Sequence, residues 1–262
     1  MSSRALSATQ VDEFLEHGFI RVEGAFSGEV AAECRAICWQ ETGCDPNDPA
    51  TWSEPVIRLG SCAQEPFVEA ANSRRLHRAF DQLVGVGGWL PRKSMGTIPI
   101  RFPHPADPGD DGWHIDGSYH PEEHKSGPPW VNVRSRGRAL LMLFLFSDTT
   151  ENDAPTQIRA GSHLHVPSRL VAASEQGMST GDLGAAGLFD ATADLPQVLA
   201  TGQAGDVYLC HPFLVHAAQS HHGTSPRVLG QPPLYPAEPY RLDRPDEDYS
   251  PVEIAIRRGL GQ

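Results

Sequence analysis

The segment Arg138-Ala-Leu-Leu-Met-Leu-Phe-Leu-Phe146 is apolar at every position after its first. Its length alone is compatible with a buried strand or a buried helix, but the turn-forming residues around it favour a strand. Shorter strand candidates flank it, and many short strands at this spacing predict a barrel or a sandwich. These candidates are 98–102, 155–159, 197–200, 207–210 and 228–234.

The residues before this strand-rich region have helical patterns. Ser7 and Gln10 match a capping box that would begin a first helix, and Gly18 could end it. A second helix is predicted after Ser27, and an apolar stripe predicts a third that closes at Gly85. We therefore expect one domain over 1–262, in three parts: a mainly helical part (1–90), a β-rich core (95–236) and a tail (237–262) with a short helix at 252–258.

The composition excludes several classes of protein. The 21 basic and 33 acidic residues give a formal net charge of −12, which disfavours long-range attraction to nucleic acid or to an anionic membrane. No apolar run reaches the length of a membrane span. The five cysteines are an odd number, and the N-terminus has no apolar leader segment, so we expect a cytoplasmic protein with free thiols.

The triplet His114-Ile115-Asp116 is the first candidate site. In a strand, His114 and Asp116 would point to the same side and present an imidazole and a carboxylate to one point. A further histidine would complete a face of two histidines and one carboxylate, which is typical of non-haem Fe(II) oxygenases. Because H-x-D is a common triplet, it is weak evidence alone.

A second cluster strengthens this interpretation. The stretch 205–216, GDVYLCHPFLVH, contains a Gly-Asp turn, a short apolar strand and His216 at its end. Arg227 follows eleven residues later, at the head of the next strand candidate. An arginine can bind a carboxylate through two hydrogen bonds and keeps its charge, which suits the distal carboxylate of 2-oxoglutarate.

With these residues in place, the chain resembles the phytanoyl-CoA dioxygenase family of Fe(II)- and 2-oxoglutarate-dependent oxygenases. The resemblance covers about residues 8–235. Four motifs carry it: FLEHGFIRVEGAF (14–26), WHID (113–116), ENDAPTQIRAGSH (151–163), and GDVYLCHPFLVH (205–216) with Arg227.

The resemblance implies a fold, a ligand set and cofactors. The fold would be a double-stranded β-helix, a jelly-roll or cupin-like barrel, with the N-terminal helices packed outside it. His114, Asp116 and His216 would be the ligands of Fe(II), and O₂ would be the oxidant. Arg227 would bind the far carboxylate of 2-oxoglutarate, and Arg101 stands where relatives often place a polar residue near this cosubstrate.

Three residues depart from the family pattern. Ala160 replaces the proline that usually precedes Gly-Ser-His, and Leu141 and Ala218 stand where relatives often have serine or asparagine. The last two substitutions remove hydrogen bonds to the cosubstrate. They affect the orientation of the cosubstrate and leave the metal ligands unchanged.

The third ligand has alternatives in the sequence. His211 lies five residues before His216, and a continuous strand would point the two side chains oppositely. The pair His221 and His222 lies only six and five residues before Arg227, which leaves little chain to place a ligand and the arginine on adjacent strands. His216 has the family spacing and is preferred.

The predicted activity is the oxidation of a small-molecule metabolite, most simply its hydroxylation, with release of succinate and CO₂. Two alternatives remain: a non-catalytic β-barrel binding protein that retains the ligand set, and a cupin-type metal dioxygenase that needs no 2-oxoglutarate. The sequence does not specify the oligomeric state. The loops at 117–136 and 166–195 are expected to cover the mouth of the site. Residues that could contact the substrate are Tyr119, Trp130, Arg134 and Phe213.

Overall fold

The structure, a computed structural model, describes residues 5–173 and 175–262. The helices in these residues are α1 (Ala8–His17), α2 (Gly28–Thr42), α3 (Glu65–Ala71), α4 (Arg74–Val84), α5 (Pro167–Leu170), α6 (Thr180–Ala185), α7 (Leu188–Ala191) and α8 (Pro251–Gly259). The strands are β1 (Phe19–Val22), β2 (Val56–Leu59), β3 (Trp89–Leu90), β4 (Ile98–Arg101), β5 (Trp130–Val131), β6 (Leu140–Leu145), β7 (Gln157–Arg159), β8 (Met178–Ser179), β9 (Gln197–Leu199), β10 (Val207–Cys210), β11 (His216–Ala217), β12 (Arg227–Gly230) and β13 (Pro233–Pro236).

The N-terminal helices begin and end at the residues that the sequence indicates. The Ser7 hydroxyl accepts a hydrogen bond from the Gln10 backbone N–H, and the Gln10 side chain accepts one from the Ser7 N–H, so the capping box of α1 is complete. Gly18 ends α1 in the left-handed region, at φ +83°. A Cβ at this position would lie 2.5 Å from Nδ1 of His163, so the site needs glycine for its space as well as its backbone.

The predicted strand at 138–146 is confirmed as β6, which is buried at all six positions. It lies inside a large antiparallel sheet with the strand order β1-β10-β6-β12-β4-β2. The segment predicted as one strand at 228–234 is instead two strands, β12 and β13, which both pair with β6. The break falls at Gln231-Pro232, because proline has no N–H to continue the ladder.

The two faces of β6 belong to two different hydrophobic clusters. Leu140, Met142 and Phe144 pack toward the N-terminal helices in the larger cluster. Leu141, Leu143 and Leu145 point the other way, as the period of two in a strand requires. The second cluster also includes Ile158 of a three-stranded sheet with the order β11-β7-β9. We call this second cluster the inner face.

The observed architecture therefore consists mainly of antiparallel sheets with flanking helices, of jelly-roll type. Within residues 5–173 and 175–262, the strands do not close into a complete barrel. The tail predicted at 237–262 contains the expected short helix as α8, which packs against α1 and α4. No described helix combines the length and the apolar character that a bilayer span requires.

Two histidines are buried beside α1 and α8. His163 is fully buried, and its ring lies 4.9 Å from that of His211, which is also fully buried. Burial lowers the pKa of His163 to about 3, and it lowers the pKa of His211 well below its usual range. The neighbouring positive charge of Arg258 lowers the pKa of His163 further. Both rings are therefore neutral in the folded protein at neutral pH.

This pair predicts acid lability. Between about pH 6.5 and pH 4 the unfolded chain binds protons on both histidines and the folded chain does not, so stability falls as the pH falls. Each such histidine contributes a slope of about 1.4 kcal/mol per pH unit in that window. His163→Phe should flatten the dependence of melting temperature on pH, and His120→Gln is the control for the removal of an exposed histidine. An unchanged slope in His163→Phe would contradict the assignment.

Candidate functional site

Two backbone hydrogen bonds join the two halves of the site. The N–H of His114 donates to the carbonyl oxygen of His216 at 2.9 Å, and the N–H of His216 donates back to the carbonyl oxygen of His114 at 2.9 Å. The pairing is an isolated bridge, and Asp116 lies in the loop beyond it. The strand geometry that would place His114 and Asp116 on one side is therefore not what brings them together, because the chain leaves the ladder directly after His114.

His114, Asp116 and His216 nevertheless converge on one point. One potential ligand atom from each lies within 4.8 Å of the others. Oδ1 of Asp116 is 3.9 Å from Nε2 of His114 and 3.9 Å from Nε2 of His216. This is the only such group of histidine, cysteine and carboxylate side chains in the described part of the chain.

Hydrogen bonds to the far side of each ring fix the orientation of both imidazoles. Nδ1 of His114 donates to the carbonyl oxygen of Gly112 at 2.8 Å, and Nδ1 of His216 donates to that of Leu214 at 3.0 Å. The proton on Nδ1 leaves Nε2 with its lone pair directed at the common point. A backbone carbonyl in this position is the usual outer partner of a metal-bound histidine.

The charges of the site also suit a metal ion. Burial raises the pKa of the Asp116 carboxyl group, but Arg138, His216 and His114 lower it more, so the net pKa lies below its usual value. Burial lowers the pKa of His216 to about 4, against the opposing effect of Asp116. At neutral pH the site thus offers the Asp116 carboxylate and the neutral imidazole of His216, which are the protonation states that metal binding requires of these groups. These donors fit a facial triad for Fe(II).

The alternative histidines lie elsewhere. Nε2 of His211 faces the carbonyl oxygen of Val252 at 3.4 Å, within the buried pair with His163. His221 approaches Oδ1 of Asp153 at 3.9 Å. The exposed His222 donates its backbone N–H to Asn152. The structure therefore brings His216, and none of these three, to His114 and Asp116.

Arg227 and Arg101 face each other across a strand pair on the inner face. They are directly opposite in the register of β12 and β4, and Arg227 shares its strand face with Leu229 of the inner cluster. Both are buried, with 2% and 3% of their surface exposed. Two buried guanidinium groups side by side are costly unless an anion compensates them.

The protein supplies only part of that compensation. Nη2 of Arg101 donates to Oδ2 of Asp110 at 2.6 Å, and Arg58 contacts the same oxygen. Nη1 of Arg227 donates to the backbone carbonyl of Ala154 at 2.6 Å. The Nε atoms of Arg227 and Arg101 are buried and have no hydrogen-bond partner among the described residues. Burial, and then the neighbouring Arg101, lower the pKa of Arg227 to about 9. This cationic pair fits a carboxylate-bearing cosubstrate such as 2-oxoglutarate.

The three residues that depart from the family pattern lie in different surroundings. Leu141 belongs to the inner cluster and is paired in register with Cys210 of β10. Ala218 follows β11, and its carbonyl oxygen accepts a hydrogen bond from Nε2 of Gln157. Ala160, which replaces the family proline, is buried and donates its N–H to Pro196, a bond that proline could not make.

The four substrate candidates occupy different places. Tyr119 and Trp130 form a β-bridge in the loop beyond Asp116 and are partly exposed. Nε of Arg134 donates to the carbonyl oxygen of Tyr240, and its Nη1 pairs with Glu175. Phe213 is fully buried in the larger hydrophobic cluster, next to the ring of His211. It therefore has no exposed surface that a substrate could contact. We therefore remove Phe213 from the candidates.

Sequence reasoning missed three neighbours of the site. Arg138 approaches Asp116, and Asp110 binds Arg101. The guanidinium of Arg159 lies 4.1 Å above the ring of Trp113, next to His114. Arg138 carried a signal, since it is the one charge at the start of an apolar strand. Asp110 lies in a sequence, DPGDDG, that reads as an ordinary turn.

The family model for phytanoyl-CoA dioxygenase matches residues 14–229, which is most of the chain. The chain belongs to the phytanoyl-CoA dioxygenase family. The expectation of an Fe(II)- and 2-oxoglutarate-dependent oxygenase is thereby confirmed at the level of the family. No curated protein sequence matches the chain significantly.

Solved structures show the same fold at low sequence identity. The α-ketoglutarate-dependent carbocyclase SnoK from nogalamycin biosynthesis is 19% identical, with a TM-score of 0.59 over 89% of this chain and 86% of that one. The epimerase SnoN, in complex with Fe³⁺, α-ketoglutarate and nogalamycin RO, is 17% identical, with a TM-score of 0.58 over 93% and 91%. HygX from Streptomyces hygroscopicus, with nickel, 2-oxoglutarate and hygromycin B, is 16% identical, with a TM-score of 0.54 over 90% of each chain.

The geometry predicts which side chains hold the metal. Asp116→Ala and His114→Ala should each lose most of the Fe(II) bound under anaerobic conditions, because each removes one of three donors. Iron content after gel filtration measures this, and His120→Gln controls for the loss of a nearby histidine. Full iron content in both alanine variants would show that the ion binds elsewhere.

Proposed function

We propose that this protein is an Fe(II)- and 2-oxoglutarate-dependent oxygenase that hydroxylates a small-molecule metabolite and releases succinate and CO₂. The observation that carries the proposal is the convergence of Nε2 of His114, Oδ1 of Asp116 and Nε2 of His216. Three donors on one side of an ion leave the other positions open for the cosubstrate and O₂.

In this proposal, Fe(II) would be held by His114, Asp116 and His216 and would supply the oxidation of a substrate C–H bond by O₂ and 2-oxoglutarate, with one oxygen atom entering the alcohol and the other succinate. The protein's own contribution is geometric. The carbonyl groups of Gly112 and Leu214 hold the two imidazole rings in place, so both Nε2 atoms are oriented before the metal arrives.

Arg227 is proposed to bind the far carboxylate of 2-oxoglutarate, assisted by Arg101. The support is their opposed register, their burial and their incomplete hydrogen bonding. Leu143, Leu145 and Leu229 line the same inner face. These apolar side chains would exclude water around the carboxylate, and so strengthen its interaction with the guanidinium groups.

We further propose that the sheets form a double-stranded β-helix whose open end admits the substrate, and that the protein is cytoplasmic. The substrate is expected to be a small metabolite, with neither nucleic acid nor membrane as a partner. The net charge of −12 supports this expectation, as do the SnoN and HygX complexes with small molecules. The same charge disfavours a polyanionic substrate, and a substrate screen in which only acyl-CoA compounds drive turnover would overturn that part of the expectation.

Succinate release tests the proposed activity. The purified protein with Fe(II), 2-oxoglutarate and O₂ should form succinate slowly without a primary substrate and faster with the correct one. Asp116→Ala should reduce this rate to the background of free iron. Iron-dependent succinate that persists at full rate in Asp116→Ala would contradict the proposed site.

One observation favours a second function, a binding protein that retains the ligand set. Leu141 and Ala218 lack the side-chain hydrogen bonds that relatives use for the cosubstrate. Folded protein that binds Fe(II) but releases no succinate above background would support this alternative.

The role of Arg227 has its own test. Arg227→Leu should weaken 2-oxoglutarate binding by about 100-fold, because it removes a charge-assisted hydrogen-bonded pair worth roughly 3 kcal/mol. Arg227→Lys keeps the charge but loses the geometry for two parallel hydrogen bonds. Its affinity for 2-oxoglutarate should therefore lie between those of the unaltered protein and Arg227→Leu. Anaerobic titration of the Fe(II) protein measures both. An unchanged affinity in Arg227→Leu would favour a cupin-type enzyme that does not use 2-oxoglutarate.

A further inference from the structure

Arg138 contacts the metal-site loop at two points. Its Nη1 lies 3.3 Å from Oδ2 of Asp116, and its Nη2 donates to the carbonyl oxygen of Gly117 at 3.1 Å. The guanidinium group therefore spans the side chain of one residue and the backbone of the next. The Arg138 side chain is 11% exposed and that of Asp116 is 30% exposed, so solvent screens this contact only in part.

The two oxygens of Asp116 have separate neighbours. Oδ1 faces the two imidazole nitrogens at 3.9 Å each, whereas Oδ2 faces Arg138. A carboxylate free to rotate about its last bond could exchange these oxygens or offer both of them to an ion. The arginine favours one orientation because its charge lies on one side only.

The conformation of the turn before β6 positions Arg138 next to the metal-site loop. Ser135 adopts φ +45°, which is uncommon for a residue with a side chain, and its hydroxyl donates to the carbonyl oxygen of Arg138. Gly137 adopts φ +90°, and a Cβ there would lie 2.4 Å from the carbonyl oxygen of Ser118. The turn thus packs backbone to backbone against the loop that follows Asp116.

We propose that Arg138 is a positioning residue that orients the Asp116 carboxylate, with Oδ1 toward the two imidazoles. It forms an ion pair with Oδ2, without a hydrogen bond from Nη1, and donates a hydrogen bond to the Gly117 carbonyl, so that Oδ1 stays turned toward the two imidazoles. The inference rests on the proposed function, since it assumes that the three convergent side chains bind the ion. Arg138 has no role on the metal itself and acts through Asp116.

The experiment measures metal affinity without turnover. Mn(II), a redox-stable probe for this kind of site, is titrated into metal-free protein by calorimetry. Arg138→Met should weaken Mn(II) binding 10- to 100-fold, which is the usual cost of removing an outer-shell partner of a metal ligand. Arg138→Lys should recover part of the loss. Arg136→Met is the matched control, because Arg136 lies over the Tyr119 ring and leaves Asp116 untouched.

A second variant keeps the arginine but moves it. Gly137→Ala must displace the turn from Ser118, so it should weaken Mn(II) binding in the same direction although the charge at position 138 is retained. Circular dichroism and melting temperature establish that each variant is folded. Should Arg138→Met not fold, the comparison of Arg138→Lys and Gly137→Ala with Arg136→Met decides the question.

Two results would overturn the inference. Folded Arg138→Met, or folded Arg138→Lys and Gly137→Ala, that bind Mn(II) as tightly as the unaltered protein would show that Asp116 needs no partner. A raised KM for 2-oxoglutarate with unchanged Mn(II) affinity would make Arg138 an anion-binding residue instead. His216→Ala separates this failure from that of the proposed function: if it too binds Mn(II) normally, the triad itself is not the metal site.

Discussion

The pair of backbone hydrogen bonds between His114 and His216 is the constraint on which the site depends. It joins two segments that lie far apart in the sequence, one from the loop after β4 and one from β11. Because the bonds are between backbone groups, they set the spacing of the two imidazoles before any metal binds. Asp116 lies in the loop that follows, and its Oδ1 is 3.9 Å from each of the two Nε2 atoms.

The two faces of β6 contribute to two different parts of the interior. β6 separates a helix-side core from the inner face, so one strand supports the fold with Leu140 and lines the inner cluster with Leu141. An apolar inner face makes burial of Arg227 and Arg101 expensive, and Asp110 compensates them only in part. The cost of that uncompensated charge is what makes a carboxylate ligand favourable there.

Local patterns in the sequence were sufficient to predict much of this. The capping box of α1, the apolar run of β6 and the spacing between His216 and Arg227 depend on neighbouring residues, and the structure contains each of them. Other features depend on contacts between distant segments. Arg138 meets Asp116 because Gly137 packs against Ser118, and no pattern within either segment predicts that approach. The break between β12 and β13 has a local cause, the proline at 232. The apolar residues on both sides of it led to the prediction of a single strand at 228–234.

The most direct test of the account is the visible spectrum of the Fe(II) protein with 2-oxoglutarate in the absence of oxygen. Chelation of the keto acid to iron held by a facial triad gives a weak metal-to-ligand charge-transfer band. The account predicts that band in the unaltered protein and its loss in His216→Ala. A band that persists in His216→Ala would contradict the claim that the bridged histidines hold the iron, and folded Fe(II) protein that shows no band would contradict the binding of 2-oxoglutarate to that iron.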